Sequence, residues 1–548
     1  MDSRAKELVK IGDSLFKRKR HWDELCQEIC ENFYPMRADF TTQFNLGDDF
    51  AVDLMDSYPV QARETLGNMP NAMLRQGEWF EVKTGDEERD EEPDNARWLE
   101  EATKRFRRLV YDRRANFVRA TIEADHDYVT VGNPVLSVEE SPTRDHFLFR
   151  SWHPKECAWM ENSVGKVDHL QRNVMMGARN IVRKWGKAGN VHSDIRKAAE
   201  SDPTKEFKVR HVVLPTDEVY GDDRKAMRRY GGTPFLSMYV DCEHEQILNE
   251  GGLPVFNYVL PRWRTLSGFQ YGFSPATINA LPDGRMLQSL ARIILEQGEK
   301  AVDPPYAVKG EIFRDSIDWY AGGMTYVDMD GDDDLRKIIM PMGGDGNLVA
   351  GMEMKQDVRN LIAESFLLNK LMLPDAREMT AFETNARLDE FRRAALPFFG
   401  PIEAEYHLPL LDVAFQMAVN NKAIGLGDMP DNLQDSDVTF TFDTPLNTAE
   451  GRASVVAFQE TVQIVAGAAQ LDQAIVADYD LRQATKDAVR GTGASADWFN
   501  DEEQADAEHD AEKQAMGVTK AAEFLQGGAA VAGDVANATK ALKEAGLA

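Results

Sequence analysis

The sequence has little cysteine and no long apolar segment. Four cysteines among 548 residues are too few for a secreted disulfide framework and are typical of a reducing compartment. There is no uninterrupted apolar run of about 18 residues, the length that spans a bilayer. The N-terminus, MDSRAKELVK, lacks the apolar core of a signal peptide. We therefore expect a chain that is neither exported by a signal peptide nor inserted in a membrane.

The sequence also lacks the short motifs that hold nucleotides or catalytic metals. It contains no G-x-x-x-x-G-K-[ST] loop, no H-E-x-x-H and no C-x-x-C, and GGDGNLVAG lacks the lysine and the preceding strand of a phosphate loop. His153 with Cys157, and Cys242 with His244, have no second pair at zinc spacing, so we expect them to be core or surface residues. We predict no catalytic residue, no metal site and no cofactor.

Two further groups of polar residues have an ordinary interpretation. Cys26 and Cys30 lie one helical turn apart, and we expect plain burial of both and not a metal or redox pair. The acidic run DMDGDDD does not fit a calcium loop. Counted from Asp328, glycine is fourth where a calcium loop has it sixth, and Ile339 stands where the twelfth-position glutamate belongs. We predict an exposed acidic loop there.

The sequence has fewer basic than acidic residues. It contains 63 Lys and Arg and 92 Asp and Glu, which give a formal net charge of -29. This balance argues against tight, nonspecific adhesion to nucleic acid or to an anionic membrane. The basic segment KRFRRLVYDRR, with Phe106 and Tyr111 interleaved, has the best composition for binding nucleic acid. The alternative, which we favour in so acidic a protein, is contact with the acidic surface of a neighbouring copy.

Hydrophobic periodicity predicts an α+β fold that is predominantly helical. Helical patterns cover the first thirty residues, Tyr58 to Gln76 and Ala96 to Arg114. The acidic segment from Asp86 to Glu92 is predicted to be a solvated loop. From Pro134 to Leu260 the pattern changes to short extended runs, with one helical insertion near ARNIVRKWG.

Two helical segments of similar length flank a small β module. Ser274 begins the first as a cap, Pro282 is expected to restart it, and the stretch from Gly284 to Lys300 would be roughly 25 Å long. Residues 306–349 hold strand-like runs, and a second helix is predicted from Gly351 to Met372. The predicted buried stripes are Leu287, Leu290, Ile294 and Ala301, widened by Met286 and Ile293, and then Met354, Val358, Leu361 and Leu368.

A long helix is predicted after these segments, followed by one strand and a helical C-terminal region. Thr380 and Glu383 fit a capping box, and Asp389 with Arg393 is a favourable ion pair one turn apart. The helix is expected to kink at Pro397 and again at Gly400-Pro401. The run VTFTFDTP predicts a strand. Beyond it the chain is helical and acidic, and the last thirty residues are expected to be poorly ordered unless docked.

Several short motifs occur in a defined order. They are Trp22 with Tyr34, Pro35 and Arg37; Trp79-Phe80; Tyr271 to Ala276 with Leu281 to Asp283; Met379 to Glu383 with Arg387 and Glu390; and Gly400-Pro401. In this order they resemble the portal proteins, or head-to-tail connectors, of short-tailed bacteriophages (podoviruses), over residues 22 to about 401 and more loosely to about 500. Two glycines depart from that pattern, Gly284 in place of a larger aliphatic residue and Gly298 in mid-helix.

The resemblance implies a homo-oligomeric ring, usually of about twelve subunits, at one vertex of a virion capsid. The ring would be assembled in the host cytoplasm, with scaffolding and capsid proteins as partners and no membrane. Double-stranded DNA would pass through its channel during packaging and ejection. The terminase large subunit and the tail adaptor proteins would dock on it.

The resemblance also divides the chain into wing, stem, clip and crown. The ranges are 1–275 for the wing, 276–302 for the first stem helix, 303–349 for the β-rich clip, 350–372 for the second stem helix, 373–379 for the tunnel loop, 380–445 for the long kinked wing helix and strand, and 446–548 for the helical crown and C-terminal tail.

Two sets of site residues follow from this division. The linker NKLMLPDAR would project toward DNA, with the channel residues Lys370, Leu371, Met372, Pro374 and Arg377. The clip would dock terminase and tail through Trp319, Tyr320, Asp328, Asp330 and Asp332. Arg377 has an alternative role, pairing with Glu378 or with an acidic residue of a neighbouring subunit at the start of the capped helix.

Two other classes of protein remain open from the residues alone. A nucleic-acid enzyme of the packaging machinery would need a nucleotide or metal site, and the motifs for both are missing. Another structural virion protein, such as a tail adaptor, is the stronger alternative. The succession of helix, β module and helix favours the portal. In a ring of subunits this insertion would form a second ring beneath the body, and an adaptor has no need of one.

Overall fold

The computed structural model describes residues 3–45, 47–141, 146–221, 232–304, 306–309, 320, 323–327, 339–341, 348–368, 400–424, 429–433 and 438–442, with a few more between 458 and 489. The chain divides into two units. The first comprises Met1–Glu81, Thr103–Leu426 and Thr439–Asn447, and the second comprises Val82–Ala102, Gly427–Val438 and Thr448–Ala548.

The described chain mixes helices with strands, as the α+β prediction requires. The helices are α1 Ser3–Phe33, α2 Tyr58–Leu74, α3 Glu87–Glu91, α4 Pro93–Val110, α5 Phe117–Val131, α6 Ala178–Trp185, α7 Ser193–Ser201, α8 Thr216–Tyr220, α9 Pro275–Val302, α10 Leu348–Ser365 and α11 Leu408–Asn420. The strands are β1 Phe80–Lys83, β2 Val135–Glu140, β3 Phe147–Trp152, β4 Cys157–Glu161, β5 Val167–Gly177, β6 Glu206–Pro215, β7 Phe235–Asp241, β8 Gln246–Leu253, β9 Tyr258–Val259, β10 Tyr306–Lys309, β11 Met324–Val327, β12 Ile339–Pro341 and β13 Thr439–Phe442.

Most element types agree with the sequence patterns. Helices α1, α2, α4 and α6 and strands β2, β3, β7 and β13 confirm the predictions made for them. The predicted loop from Asp86 to Glu92 is wrong in part, because it contains α3. There the buried carboxylate of Asp90 accepts hydrogen bonds from the backbone and hydroxyl of Thr84, which orders the acidic run. The prediction missed α5 and α7.

A five-stranded antiparallel sheet, in the order β4-β5-β6-β7-β8, forms the β-rich part of the first unit. Side chains alternate between its two faces. Phe207 and Val209 of β6 pack with α6 and α7 on one face, whereas Val212 and Leu214 pack with Ala5 of α1 on the other. Apolar residues on both faces of β6 therefore place this sheet inside the unit.

A smaller three-stranded sheet lies in sequence between α9 and α10. Its order is β11-β10-β12, with β10 parallel to β11 and antiparallel to β12. The prediction of a β module between two helices is confirmed for these strands. The turn expected at Gly322-Gly323 and the acidic run that begins at Asp328 fall largely outside the described residues.

Helix α9 is continuous from Pro275 to Val302, so the prediction that Pro282 restarts it is wrong. Pro282 cannot donate a backbone hydrogen bond to Ile278, one turn earlier. That site is at the surface, since Pro282 is exposed and the Ile278 side chain is 41% exposed, which lets water satisfy the carbonyl. Buried residues on both sides, Leu281 and Leu287, hold the helix together across the proline.

The predicted helix that starts near Met379, with its capping box, ion pairs and kink at Pro397, lies outside the described residues. The described chain resumes at Gly400, and α11 ends at Asn420, close to the predicted end at Asn421. The final thirty residues also lie outside the description.

Candidate functional site

The five predicted channel residues, Lys370, Leu371, Met372, Pro374 and Arg377, lie outside the described residues, as do Trp319, Asp328, Asp330 and Asp332 of the clip. Tyr320 is described, and its side chain is 64% exposed. The described part of the candidate site is therefore the pair of helices that flanks the small sheet, together with the packing that anchors this pair.

The aromatic residues of the sequence motifs meet at the base of α9. The ring of Trp22 stacks on that of Tyr271, with centroids 5.0 Å apart and planes at 29°. Tyr271 also contacts Trp159 of the large sheet, with centroids 4.3 Å apart. All three side chains are buried, so these aromatic residues bind α1, the sheet and the start of α9 together and are not available to a ligand.

The polar residues of the same motif attach α9 to the end of α5. The Gly272 N–H donates to Asn133 Oδ1 at 2.6 Å, and the Ser274 hydroxyl donates to the Val129 carbonyl at 2.6 Å. Thr277, which the Ser274 side chain caps, donates to the Thr130 carbonyl at 2.7 Å. These buried hydrogen bonds fix the position and direction in which α9 leaves the body.

Arg37, the last residue of the first motif, is held by α5. Its guanidinium donates to both carboxylate oxygens of Asp127, at 3.0 and 2.5 Å. Nearby, Asp39 contacts His153 and Lys155. Burial opposes ionisation of Asp39, but hydrogen bonds from these two partners lower its pKa to about 2. His153 is thus a half-buried residue that is hydrogen-bonded to Asp39.

Asp56, just before α2, ties the two flanking helices to the body. Its carboxylate lies 2.8 Å from Lys355 Nζ and 2.8 Å from Arg359 Nη2, both on α10. The backbone N–H groups of Met55 and Asp56 donate to Gln288 Oε1 of α9. Although burial opposes it, hydrogen bonds from Lys355 and the Tyr58 backbone lower the pKa of Asp56. One short segment therefore holds both helices.

The predicted buried stripe of α9 is correct only in part. Leu287 is fully buried and Ile294 is half-buried, but Ala301, Met286 and Ile293 are exposed, the last by 60%. Gly284, noted as a departure from the family pattern, has a physical reason. A methyl group there would lie 2.9 Å from Cζ of Phe33, so this position accepts that ring only because it has no side chain.

The stripe predicted for α10 is also correct only in part. Val358 is buried, but it shares its face with Ile362 and Phe366, whereas Met354 and Leu361 are 55% and 48% exposed. Periodicity locates apolar residues but does not say which of them face the body of the same chain. Nine of the exposed large apolar side chains belong to the two helices: Ile278, Met286, Ile293, Leu295, Val302, Val349, Met352, Met354 and Leu361.

A shallow apolar groove crosses the far end of this pair. It is lined by Ile294, Leu295, Gly298, Val302 and Leu348. Val302 is 88% exposed and Leu295 is 55% exposed. Contiguous exposed apolar patches are common on surfaces that bind another protein. The helix pair can therefore offer a surface for association, and its anchored base would keep that surface in place.

The basic segment KRFRRLVYDRR has a structural role in part. Phe106 is fully buried, and the Tyr111 hydroxyl accepts a hydrogen bond from the Trp79 indole at 2.6 Å. Arg107 donates to the carbonyls of Phe80 and Glu78. The ring of Phe106 is therefore not available to stack on bases, whereas Tyr111 is 38% exposed and contributes its hydroxyl to the packing.

The cysteines behave as the sequence predicted. Cys26, Cys30 and Cys157 are buried free thiols, and burial raises the pKa of each. A group that the sequence did not reveal is His192, Asp194 and His244, whose ligand-type atoms lie within 4.8 Å of one another. His244 is distant in sequence from His192 and Asp194, so no local spacing could have identified the group.

No helix in the described parts of the chain is long and apolar enough to cross a membrane. A curated relative from Bordetella phage BPP-1, described as a probable portal protein, is 25% identical over 465 residues, which are 81% of this chain and 80% of the relative.

Two solved structures align with the chain at TM-scores of 0.32. One is the virion of a native gene transfer agent particle, at 10% identity over 80% of this chain and 95% of that one. The other is the neck of an empty gene transfer agent particle computed with C6 symmetry, at 12% identity over 78% of this chain and 93% of that one. The family of bacteriophage head to tail connecting proteins matches residues 5–499. Because that match spans most of the sequence, this chain belongs to the family of bacteriophage head to tail connecting proteins.

Proposed function

We propose that this protein is the portal subunit of a phage virion, and that copies of it form a closed ring at one capsid vertex. The observation that carries the proposal is the anchored pair α9 and α10, which presents large apolar side chains that its own chain leaves exposed. A ring in which each subunit repeats the same contact with its neighbour would cover such surfaces on every copy. The relative described as a probable portal protein supports the same role.

In this proposal α9 and α10 are the stem helices and the sheet β10 to β12 belongs to the clip. The body before α9, together with the helix from Thr380 onward, would form the wing, and residues from 446 onward would form the crown. The anchoring of α9 by Trp22, Tyr271 and Ser274 supports a stem that must keep its direction while a genome passes beside it.

We propose that the clip docks the terminase large subunit during packaging and the tail adaptor afterwards, through Trp319, Tyr320, Asp328, Asp330 and Asp332. The exposed ring of Tyr320 is compatible with this role. Deletion of residues 312–340 should give rings that form poorly or that fail to bind terminase. Intact deleted rings with normal terminase binding would refute the assignment.

The channel is proposed to conduct double-stranded DNA without gripping it. Each phosphate that the channel neutralises would tighten DNA binding and so slow the movement of DNA. The overall charge of -29 disfavours a lumen that neutralises many phosphates. The protein itself is proposed to hydrolyse neither ATP nor DNA. ATP turnover that follows the protein peak through purification would contradict this.

Native mass spectrometry of the purified protein, alone and with its scaffolding protein, tests the central proposal. We expect a closed assembly with a mass of about twelve times the subunit mass of 61.6 kDa. Negative-stain images should show rings with an open centre. A stable monomer under both conditions would overturn the proposal.

A further inference from the structure

His192, Asp194 and His244 meet where α7 begins and where the turn between β7 and β8 reverses the chain. His192 immediately precedes α7, and its Nδ1 accepts a hydrogen bond from the Asp194 N–H at 3.4 Å. His244 lies in the turn that follows Asp241. One ligand-type atom from each of the three residues lies within 4.8 Å of the other two. Two imidazoles and a carboxylate are thus collected at the surface from two separate elements.

The orientation of His244 is fixed by a buried carboxylate. Asp241 is fully buried, and its Oδ2 lies 2.6 Å from Nδ1 of His244. Its other oxygen accepts the N–H groups of Glu243 and His244, at 3.0 and 3.3 Å, so the carboxylate is held in place. Nδ1 of His244 therefore donates to this carboxylate, and Nε2 is the nitrogen that is left to face a metal ion. A carboxylate behind an imidazole in this way orients metal-binding histidines in many proteins.

The free nitrogen points toward the remaining carboxylate, since His244 Nε2 lies 4.0 Å from Asp194 Oδ2. Ligands at about 2.0–2.2 Å from a zinc ion are separated by roughly 3–4 Å from one another. The separation seen here needs only a small adjustment of Asp194, whose side chain is 59% exposed. The Lys197 amine, 3.6 Å from Asp194, is a competing partner, but an exposed pair of this kind is weak.

His192 would have to turn. Its ring now stacks on that of His244, with centroids 4.0 Å apart and planes at 19°, and parallel rings cannot both aim in-plane lone pairs at one ion. The His192 side chain is 39% exposed, so it has room to rotate without disturbing the core. Rotation would replace the ring stacking and the hydrogen bond from the Asp194 N–H by a metal bond.

We propose that His192, Asp194 and His244 bind a divalent first-row transition cation, with zinc the best match and water in the fourth position. Two nitrogen donors and one carboxylate suit zinc and disfavour magnesium and calcium, which prefer oxygen ligands alone. The ion would fasten the start of α7 to the β7–β8 turn at the edge of the large sheet. This site is independent of the proposed ring and channel.

The test uses the untagged, full-length protein, stripped of metal and titrated with Co²⁺ and then with Zn²⁺. We expect about one ion per chain, a visible cobalt absorption band that zinc abolishes, and a higher melting temperature with zinc. His244→Gln and Asp194→Asn should each weaken zinc binding by more than about tenfold. His21→Gln is the matched control, because the His21 side chain is 93% exposed on α1 and belongs to no such cluster in the described chain.

Circular dichroism and the melting temperature without metal establish that each variant is folded. Stoichiometric binding that is lost in the double variant His192→Gln with His244→Gln, and kept in His21→Gln, supports the site. The proposal is overturned if the wild-type protein binds no stoichiometric zinc, or if the folded double variant binds it unchanged.

Discussion

Phe33 packs its ring edge against the backbone of α9 at Gly284, where a methyl group would come within 2.9 Å of the ring. Phe33 is fully buried and also contacts Phe366, so it has little room to move. The end of α1 and the first flanking helix therefore fit together because this position has no side chain.

Gly284→Ala should lower the free energy of unfolding by about 1 kcal/mol. Overpacking costs about 1–3 kcal/mol, and the better helix propensity of alanine returns up to about 1 kcal/mol. Gly298→Ala in the same helix is the control, since nothing lies within 4 Å of its added methyl group, and it should stabilise the protein. Denaturant unfolding measures both. Equal stabilisation by the two substitutions would show that Phe33 adapts.

Asp125→Ala should destabilise the first unit by about 3–5 kcal/mol. Asp125 is fully buried, and both of its carboxylate oxygens pair with the guanidinium of Arg75. Its removal would leave the charge of Arg75 unpaired in the core. The double change Arg75→Met with Asp125→Leu removes both charges and should recover most of the loss. Denaturation of the single and double variants decides this, and equal loss in both would contradict the charge argument.

His126 should make the protein less stable in mild acid. Burial and the charge of Arg63, 2.8 Å away, lower the pKa of His126 to about 4 from its ordinary 6.5. Between pH 4 and 6.5, His126 is therefore protonated more fully in the unfolded chain than in the folded one. The free energy of unfolding consequently decreases as the pH falls from 6.5 toward 4.

Unfolding of the wild type and of His126→Asn, measured at several values across that pH range, tests this. The difference in unfolding free energy between the two proteins should change with pH inside the range and stay constant above it. A constant difference throughout would contradict a proton-linked role for His126. The carboxyl groups that titrate in the same range are present in both proteins, so their contributions to the pH dependence cancel in the comparison.

Ile293→Asp combined with Leu361→Asp should prevent ring assembly without unfolding the subunit. Both side chains are exposed within the chain, by 60% and 48%, so a charge costs little until a second copy covers it. Val164→Asp, 79% exposed on a turn outside the helix pair, is the control. Light scattering should find rings for the control and subunits for the double variant. Normal rings from the double variant would place the subunit contact elsewhere.

Lys370→Ala with Arg377→Ala is expected to leave the ring intact and to impair packaging or retention of DNA. In the linker NKLMLPDAR, which is proposed to project toward DNA, these are the two cationic residues, so they are the groups that would meet phosphate. Lys6→Ala with Lys10→Ala on α1 gives the same change of charge as a control. Mutant rings that package and retain whole genomes normally would rule out the channel role. Loss of the ring itself would favour the pairing of Arg377 with an acidic neighbour.

The sequence by itself determined the types of most elements and the family, because caps, turns and apolar periods are local and the motifs follow one another in a fixed order. It could not determine which apolar face turns inward. Met354 and Leu361 were expected to share a stripe with Val358, but the buried neighbours of Val358 are Ile362 and Phe366.

Only the tertiary structure decided the features that depend on residues distant along the chain. Pro282 lies inside one continuous helix because buried neighbours on both sides outweigh its missing hydrogen bond. Trp22 stacks on Tyr271, and His192 meets His244, because separate elements pack at those points. Such pairings depend on how whole helices and sheets bury their apolar surfaces together, and no local pattern of residues encodes that outcome.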